Sequence, residues 1–553
     1  MKTVIVGGVA GGATAAARLR RLDEKMDIVL IERGEYISFA NCGLPYYVGG
    51  AIADRDDLTL QTPEDFHARY RVDVRVLEEV VDIDPAAKIV RIRRARDGSE
   101  YTESYDKLLL SPGARPFVPP IPGADAENVF TLRTIPDALA IRDYVKSRGC
   151  RTAAVIGGGF IGLEMAENLA REGLKVSIIE AMPQIATVLD EDVACEAASY
   201  LRSRGIEIYT NAVVEDISAL GADVVILSVG VRPESELAAR AGLKLSERGL
   251  IVTDETMRTS DEHIYAVGDA VAVRHFVSGA ETHIALAGPA NKQARIAADN
   301  ICGLGSRYTG ALGSAVIKLF DMTVAATGLN ERQIKQLGIP YDKVFLWSSS
   351  HATYYPGASN MSLKVLFNTE TGKILGAQIA GFDGVDKRID VLATAIRAGM
   401  TAYDLTELDL AYAPPFSSAK DPVNMAGYVM ENILTGKVRQ HHWHDVEALE
   451  QRPDIVLLDV RTEEEFNRGH FKNAVNIPLH TLRGRLEELR GKGKIYVSCQ
   501  SGLRSYIAAR ILTQHGFDCS NLAGGYRLYA AVRKNAAFDG ALTYPCGVKV
   551  KKP

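Results

Sequence analysis

The chain has 553 residues, which is too long for one hydrophobic core and predicts about three to five domains. Lys and Arg total 64 against 69 Asp and Glu, so no field of one sign favours nucleic acid as a partner. No stretch approaches the roughly 18 apolar residues of a membrane span. Seven cysteines without metal-ligand spacing predict reduced thiols in the cytoplasm, with neither a disulfide framework nor a metal site.

The amino-terminal segment combines a short strand with a glycine-rich turn. Val4–Val6 is β-branched and too brief for a signal sequence, and a helix is expected over 13–22. The turn between them consists of Gly7, Gly8, Val9, Ala10, Gly11 and Gly12. A second strand, Ile28–Ile31, ends at Glu32 and Arg33. This order is the dinucleotide fingerprint, in which a helix N-terminus faces a pyrophosphate and the acid accepts from a ribose hydroxyl. Val9 stands where the second glycine is expected.

Two segments before residue 115 add to this pattern. Cys42 lies in Ser38–Tyr46 (SFANCGLPY), close behind the nucleotide turn. Further along, Tyr105–Leu110 predicts a buried strand that runs into a turn, with Ser111 and Gly113 at its end. Both segments therefore supply candidates for a site beside the first nucleotide.

The strand–turn–helix–strand unit returns in the middle of the chain. Ala153–Ile156 leads into a turn with all three glycines, Gly157, Gly159 and Gly162, and a second strand ends at Glu180. Two complete units are hard to explain by chance, and they predict two bound nucleotides. Glu180 would repel the 2′-phosphate of NADPH, so NADH is favoured, with NADPH as the alternative.

A further strand, Ile264–Val267, ends at Gly268 and Asp269. An Asp at this place can accept a hydrogen bond from the ribityl chain of a flavin, while a helix starting behind it would face the pyrophosphate. The same geometry would suit Asp269 as a simple helix N-cap. With two fingerprints on the chain, we favour the flavin role.

Residues 1–436, arranged in this way, resemble the two-dinucleotide flavoprotein disulfide reductases. The resemblance implies an α/β fold with two Rossmann-like domains and an α+β dimerisation domain. The implied domains are FAD-binding (1–149 and 250–315), NAD(P)H-binding (150–249) and dimerisation (316–436). One departure is that only Asn211–Gly221 precede the strand over 222–229, where the family usually inserts a longer β-hairpin. We therefore expect a trimmed NADH domain.

The dithiol members of this family use Cys-x-x-x-x-Cys beside the flavin, but the residue five positions after Cys42 is Tyr47. An internal disulfide is thus excluded at this site. A lone thiol must cycle as a sulfenic acid, or as a mixed disulfide or persulfide with substrate. The sulfenic route belongs to NADH peroxidases and oxidases, and the peroxidases carry a His in the first glycine turn, where this chain has Ala10.

The Ser38–Tyr46 segment is instead similar to that of coenzyme A-disulfide reductases. His351–Gly357 (HATYYPG) and Ala411–Phe416 (AYAPPF) fall where that family places two active-site tyrosines. The resemblance implies a homodimer in which Tyr354 and Tyr412 hydrogen-bond or protonate the thiolate leaving Cys42 of the other subunit. Interface packing is the alternative role for both tyrosines. The resemblance also implies coenzyme A contacts at Thr14, Arg18, Arg21, Ser38, Asn41 and Lys420.

The carboxy-terminal part begins after Gly436–His444, which is expected to be a linker whose three histidines are incidental. A strand over 495–498 runs into the loop Cys499–Arg504 (CQSGLR), followed by a helix from about Ser505. The N–H groups of such a loop would converge on the thiolate and stabilise an outer sulfur anion. Together with Asp459–Arg461 and Gly469–Pro478, this loop resembles that of rhodanese domains (445–553), with Cys499 and Arg504 as catalytic residues. The loop of the rival Cys-based phosphatases is one residue longer.

Taken together, these patterns predict an FAD-dependent NAD(P)H reductase of a small-molecule disulfide or persulfide. The substrate would be coenzyme A disulfide, coenzyme A persulfide or polysulfide, reduced through Cys42. Cys499 would bind sulfane sulfur and relay it to Cys42. Two alternatives stay open: an NADH oxidase or peroxidase that cycles Cys42 as a sulfenic acid beside an accessory rhodanese domain, and a non-catalytic sulfur-sensing flavoprotein.

Overall fold

A computed structural model describes residues 1–540 and 542–550. The chain forms two compact units, the first made of residues 1–181, 211–313 and the segment from 545 onward, the second of residues 182–210 and 314–544. None of the helices in these described stretches is both long enough and apolar enough to traverse a bilayer.

The elements of residues 1–149 are the strands β1 (Lys2–Val6), β2 (Asp27–Glu32), β3 (Asp73–Val76), β4 (Glu78–Asp84), β5 (Ile89–Arg94), β6 (Glu100–Ser104), β7 (Lys107–Leu110), β8 (Ala114–Pro116) and β9 (Val129–Phe130), and the helices α1 (Ala10–Leu22), α2 (Leu44–Val48), α3 (Pro63–Tyr70) and α4 (Ile135–Arg148). The next stretch contains β10 (Thr152–Ile156), α5 (Phe160–Arg171), β11 (Lys175–Ile179), α6 (Glu191–Ser203), β12 (Glu207–Tyr209), β13 (Ala212–Val214), β14 (Val224–Leu227), β15 (Val231–Pro233), α7 (Glu236–Arg240), β16 (Ile264–Ala266), β17 (Val273–Arg274), β18 (Glu281–Thr282) and α8 (Ala287–Ile301).

The elements from residue 315 to 434 are β19 (Ala315–Leu319), β20 (Met322–Gly328), α9 (Glu331–Gln336), β21 (Tyr341–Ser349), β22 (Asn360–Asn368), β23 (Ile374–Gly381), α10 (Val385–Arg397), α11 (Ala402–Thr406) and α12 (Pro422–Leu434). The remaining elements are β24 (Gln440–His441), α13 (Val446–Glu450), β25 (Ile455–Asp459), α14 (Glu463–Asn467), β26 (Val475–Asn476), α15 (Leu479–Leu482), β27 (Lys494–Ser498), α16 (Leu503–Gln514), β28 (Cys519–Leu522), α17 (Gly525–Gly540) and β29 (Val548–Val550).

The first unit contains the two predicted nucleotide folds. A parallel sheet runs in the order β16-β7-β1-β2-β3. Helix α1 packs against β1 and β2, and apolar residues of the antiparallel strands β4 and β5 belong to the same core. The strands β11, β10, β14 and β9 pair in parallel in that order, so the second glycine turn follows a central strand as the first one does. The predicted α/β class with two Rossmann-like domains is confirmed.

The chain behind β16 differs from the prediction. Gly268 adopts a left-handed conformation (φ +85°), and the chain turns there to form β17. The next helix, α8, begins only at Ala287. The expected helix start at Asp269 was therefore wrong, and so was the N-cap alternative, since no helix among the described residues begins there for Asp269 to cap.

The stretch after β12 pairs with a strand from the far end of the chain. β13 pairs antiparallel with β29, with Ala212 opposite Val550 and Val214 opposite Val548. Glu215 N donates to Gly547 O at 2.8 Å, which holds the start of the added strand. Strand β29 thus covers an edge of β13 that would otherwise be exposed.

The second unit contains two sheets of different kinds. The antiparallel sheet β19-β20-β23-β22-β21 buries one face under α10, and the parallel sheet β24-β28-β27-β25-β26 belongs to the carboxy-terminal region. Gln440 and His441 form the edge strand β24. The segment expected to be a linker therefore belongs partly to the carboxy-terminal sheet, because its backbone pairs with β28.

Candidate functional site

The two glycine turns have the same geometry. A Cβ atom on Gly12 would lie 1.8 Å from Gly7 O, and one on Gly162 would lie 2.0 Å from Gly157 O, so α1 and α5 can approach their strands only with glycine there. The acid that ends each second strand accepts from its own turn: Gly8 N donates to Glu32 Oε2 at 2.8 Å, and Gly158 N donates to Glu180 Oε2 at 2.6 Å. Both turns therefore fit a nucleotide in the same way.

The departure at Val9 is compatible with this geometry. Val9 adopts φ −94°, which any L residue tolerates, and directly precedes α1. At the equivalent Gly159, an added Cβ would meet no atom within 4 Å. The cradle therefore stays open toward a ligand at both turns.

The residues predicted to line the first nucleotide converge around Arg133. Arg133 Nη2 lies 3.2 Å from Asp269 Oδ2, and a Cβ on Gly113 would lie 3.0 Å from the same nitrogen. A Cβ on Gly268 would be 3.7 Å from Ser111 Oγ. These groups can hold a flavin nucleotide, whereas Arg33 is engaged in a two-point ion pair with Glu234 at 2.6 Å.

Cys42 sits on a 3₁₀ turn (Asn41–Gly43) that leads into α2. Its thiol is exposed, yet the atoms packed around it raise its pKa, and the charges of Glu164 and Asp269 raise the pKa further. Arg133 opposes this shift. The protonation of the Cys42 thiol therefore depends on the charges of Glu164, Asp269 and Arg133.

Three residues around Cys42 had not been predicted. Tyr46 Oη donates to Glu164 Oε1 at 3.1 Å, which joins α2 to α5. Burial raises the pKa of Glu164 to about 7. The hydrogen bond from Tyr46 lowers this pKa, and the charge of Glu167 raises it. The only sequence signals were positional: Glu164 lies two residues after Gly162, and Arg133 precedes the capping box that starts α4.

The three residues on α1 that were predicted to contact coenzyme A differ in their hydrogen-bond partners and exposure. Arg18 Nε pairs with Asp299 Oδ1 at 2.8 Å, and Thr14 Oγ1 donates to Asn291 Oδ1 at 2.9 Å. Arg21 is exposed. Arg21 is thus available to an anion, while Arg18 would have to leave Asp299 to bind one. Ser38 adopts a left-handed conformation (φ +44°) at the start of the thiol segment, which also contains Asn41.

The second unit brings the two predicted tyrosines together. Tyr354 Oη and Tyr412 Oη share a hydrogen bond of 2.9 Å, which raises the pKa of Tyr354. Both residues are exposed, by 75% and 47%. They line a cavity of about 330 Å³, the tyrosine pocket, together with Ser348, Ser349, Ala352, Thr353, Ser418, Ala419, Lys420 and Pro422.

The loop that begins at Cys499 surrounds a buried thiol. Cys499 Sγ accepts from Gly502 N at 3.1 Å and from Ser505 Oγ at 3.3 Å, just where α16 begins. Arg461 Nη1 donates to Gln500 Oε1 at 3.3 Å and steadies the loop. Two donors therefore converge on the Cys499 sulfur, an arrangement that can bind an anion.

Arg504 turns toward α14. Its guanidinium donates to both oxygens of Glu465 at 2.7 Å, and this pair lowers the pKa of Glu465 to about 2. The role predicted for Arg504 as a catalytic residue stays a prediction. The geometry seen makes it a brace between the loop and α14.

Within the described residues, the one set of three side chains grouped closely enough to ligate a cation is Asp190, Asp192 and Glu331. Lys364 Nζ occupies its centre, 2.7 Å from Asp192, 2.5 Å from Glu331 and 3.0 Å from Asp190. Burial would lower the pKa of Lys364, but the three carboxylates raise it. This cluster is a buried ion-pair network that joins α6 to the antiparallel sheet.

Comparison with known families divides the chain into three matches. Residues 1–294 match the pyridine nucleotide-disulphide oxidoreductases, and residues 314–422 match the dimerisation domain of the same family. Residues 442–531 match the rhodanese-like domain.

Two relatives match about three quarters of the chain over nearly their whole length. An NADH oxidase of Methanocaldococcus jannaschii is 36% identical over 440 residues, which cover 77% of this chain and 98% of that protein. A coenzyme A disulfide reductase of Staphylococcus aureus is 36% identical over 441 residues, covering 77% of this chain and 99% of that protein.

Two solved structures match nearly the whole chain. The reduced CoADR-RHD of Bacillus anthracis is 48% identical with a TM-score of 0.95, and the match covers 96% of this chain and 98% of that one. An NAD-dependent persulfide reductase from A. fulgidus is 40% identical with a TM-score of 0.89, covering 96% of this chain and 100% of that one.

Proposed function

Because the chain belongs to the pyridine nucleotide-disulphide oxidoreductases and carries a rhodanese-like domain, we propose that it reduces coenzyme A disulfide, coenzyme A persulfide or polysulfide with NADH. Cys42 is the redox thiol and Cys499 is the sulfur carrier. The observation that carries this proposal is the lone thiol of Cys42. It is exposed among Glu164, Asp269 and Arg133, and Tyr47 stands where a second thiol would be needed.

Both cofactors are assigned to the glycine turns. FAD fits the Gly7–Gly12 turn with Glu32, Ser111, Gly113, Gly268 and Asp269, and the nicotinamide cofactor fits Gly157–Gly162 with Glu180. Bound FAD would supply two-electron exchange between the nicotinamide and a sulfur–sulfur bond. Glu180 favours NADH over NADPH, because a carboxylate repels a 2′-phosphate.

The residues then divide the chemistry as follows. The Cys42 thiolate attacks the carbon-bonded sulfur of a persulfide, a mixed disulfide with Cys42 forms, and sulfide leaves. With coenzyme A disulfide the leaving group is the coenzyme A thiolate. Two electrons from NADH then cleave the mixed disulfide, and the released thiolate takes its proton from a tyrosine, Tyr354 of the partner subunit or Tyr412 of the partner subunit. The sum is NADH plus a proton plus persulfide giving NAD⁺, thiol and hydrogen sulfide.

This assignment needs a homodimer with shared sites. The match to a dimerisation domain and the exposure of Tyr354, Tyr412 and Phe416 support it. The seven cysteines, all within the described part of the chain, are free thiols, which suits a reducing cytoplasmic compartment. Small molecules are the expected partners.

Rates of NADH consumption with different oxidants, measured at the same NADH concentration, test the proposal. Coenzyme A disulfide, coenzyme A persulfide and polysulfide should consume NADH, the last two with equimolar sulfide, whereas oxygen and peroxide should be slow. Turnover with oxygen or peroxide alone would favour an NADH oxidase or peroxidase, which the relative from M. jannaschii supports and Ala10 opposes for a peroxidase. Bound flavin that NADH does not bleach would point to a non-catalytic sensor.

A further inference from the structure

The chain continues past the rhodanese-like match, which ends at residue 531. Helix α17 ends at Gly540, and the short strand β29 follows at Val548–Val550. The residues from Pro545 onward belong to the first unit, although those just before them belong to the second. This last strand is therefore part of the nucleotide-binding unit, and none of the three family matches accounts for it.

Strand β29 is held to β13 by its backbone. Residues 212–214 pair antiparallel with residues 548–550, and the two strands form a sheet of their own. Glu215 N and Asp216 N both donate to Gly547 O, at 2.8 and 3.3 Å. An extended segment that joins the edge of a strand gains its affinity mainly from such main-chain hydrogen bonds. The attachment of β29 thus depends on the path of its backbone.

A glycine fixes that path where the chain enters β29. Gly547 adopts a left-handed conformation (φ +78°), which glycine reaches at no steric cost. A Cβ there would lie 2.4 Å from Asp216 O and 2.8 Å from the Cβ of Ala219. A side chain at this position therefore forces either the end of the chain or the segment 216–219 to move.

Strand β13 is bonded in turn to the acid of the second nucleotide turn. Ala212 N, at the start of β13, donates to Glu180 O at 2.9 Å. The carboxylate of the same Glu180, which is 9% exposed, accepts from Gly158 N at 2.6 Å. Strand β13 therefore restrains the backbone of the residue whose side chain was predicted to bind a ribose.

We infer that β29 positions the nicotinamide-nucleotide site: by pairing with β13, it holds Glu180 where the carboxylate can accept from the adenosine ribose of NADH. This inference rests on the proposed function, which places NADH at the turn Gly157–Gly162. An acceptor that is already in place binds more tightly than one that must be ordered on binding. Strand β29 thus acts on the affinity for the nucleotide and not on the sulfur chemistry.

The substitution Gly547→Ala in the full-length holoenzyme tests this role. The added methyl group collides with Asp216 O, so β29 should separate from β13 and residues 211–216 should exchange their amide hydrogens faster. We expect the Kd of NAD⁺ for the oxidised enzyme, followed by the flavin spectrum, and the KM for NADH to rise roughly 5- to 10-fold, with kcat within about twofold of native. Gly540→Ala, where an added Cβ meets no atom within 4 Å, is the matched control and should behave as native.

A second full-length variant combines Val548→Pro, Lys549→Pro and Val550→Pro. Proline has no N–H group and a fixed φ, so these three residues can no longer pair with β13 as a strand. This variant should reproduce the rise in the Kd of NAD⁺. A native Kd would overturn the inference, and so would native hydrogen exchange of residues 211–216, since β13 would then not depend on β29.

Two further measurements separate a failure of this inference from a failure of the proposed function. If Glu180→Gln leaves the Kd of NAD⁺ at the native value, the placement of NADH at the second glycine turn is wrong, and the role of β29 falls with it. If Glu180→Gln weakens NAD⁺ binding but both variants of the chain end bind NAD⁺ normally, only the role of β29 is refuted. Loading of Cys499 with sulfane sulfur should stay native in both variants, and an equal loss there would refute an effect confined to the nucleotide site.

Discussion

The two cysteine sites hold the same atom in opposite surroundings. Cys42 is exposed at the surface, yet the atoms packed around it, and then the carboxylates of Glu164 and Asp269, raise its pKa. Cys499 is fully buried and accepts hydrogen bonds from Gly502 N and Ser505 Oγ. An exposed thiol whose pKa depends on neighbouring carboxylates is suited to exchange bonds with a substrate. A buried thiol that accepts two hydrogen bonds is suited to hold a bound sulfur anion. The difference supports the proposal that Cys499 carries sulfur and Cys42 takes part in its reduction.

The substitution Cys42→Ser tests this contrast with the largest expected effect. We expect reduction of coenzyme A disulfide by NADH to fall at least roughly a thousandfold, because no other nucleophile stands at that position. Sulfane loading of Cys499, measured by trapping labelled sulfur, should stay unchanged. Cys546→Ser, which removes another exposed thiol, is the control and should leave both readings at the native level. Loss of sulfur loading in Cys42→Ser would contradict the separation of roles.

Removing one phenol tests the proton donor. Tyr412→Phe keeps the ring and deletes the hydroxyl that bonds to Tyr354, so turnover of coenzyme A disulfide should fall roughly 10- to 100-fold, as for loss of a general acid. Tyr355→Phe, on an exposed neighbouring ring, is the matched control. A native rate in Tyr412→Phe, with the dimer intact by ultracentrifugation, would leave the tyrosines as interface packing only.

The carrier site should respond to Ser505→Ala. Deleting the hydroxyl donor to Cys499 Sγ should slow sulfane loading roughly 2- to 10-fold, since a hydrogen bond contributes about 0.5–1.5 kcal/mol. Ser501→Ala, in the same loop, should have little effect. Reduction of coenzyme A disulfide should be unchanged in both variants, and an equal loss there would mean a general structural defect.

The smallest expected effect is on the pH dependence of the Cys42 thiol. Glu164, with a pKa of about 7, becomes negative as pH rises above that value, and its charge then raises the pKa of Cys42. Glu164→Gln removes the charge, so alkylation of Cys42 by iodoacetamide should reach half its maximal rate at a lower pH than in the native protein. Glu172→Gln should not move the profile, and an unmoved profile in Glu164→Gln would exclude this coupling.

Local patterns predicted a large part of the fold. Strand, glycine turn, helix and acid are neighbours in the sequence, so their spacing was enough to predict both nucleotide folds. The lone thiol of Cys42 before Tyr47 and the loop from Cys499 to Arg504 could also be predicted from the sequence, because each lies in one short segment. The helix expected at Asp269 was wrong because a left-handed Gly268 turns the chain, which residue order alone does not reveal.

No short sequence pattern predicted which residues would contact the site residues. Arg133 meets Asp269 across 136 residues, and Tyr46 meets Glu164 across 118. The ion pair of Arg18 with Asp299 and that of Arg504 with Glu465 were equally hidden. A long side chain on a surface has many possible partners, and only packing selects one.

Residues that lie close together in the chain were enough to predict two nucleotide cradles, one thiol without a partner at Cys42 and one loop around the thiol of Cys499. Only the tertiary structure decided that Tyr354 and Tyr412 share a hydrogen bond, and that β29 completes the edge at β13. These contacts join residues far apart in sequence, and folding alone brings them within hydrogen-bonding distance.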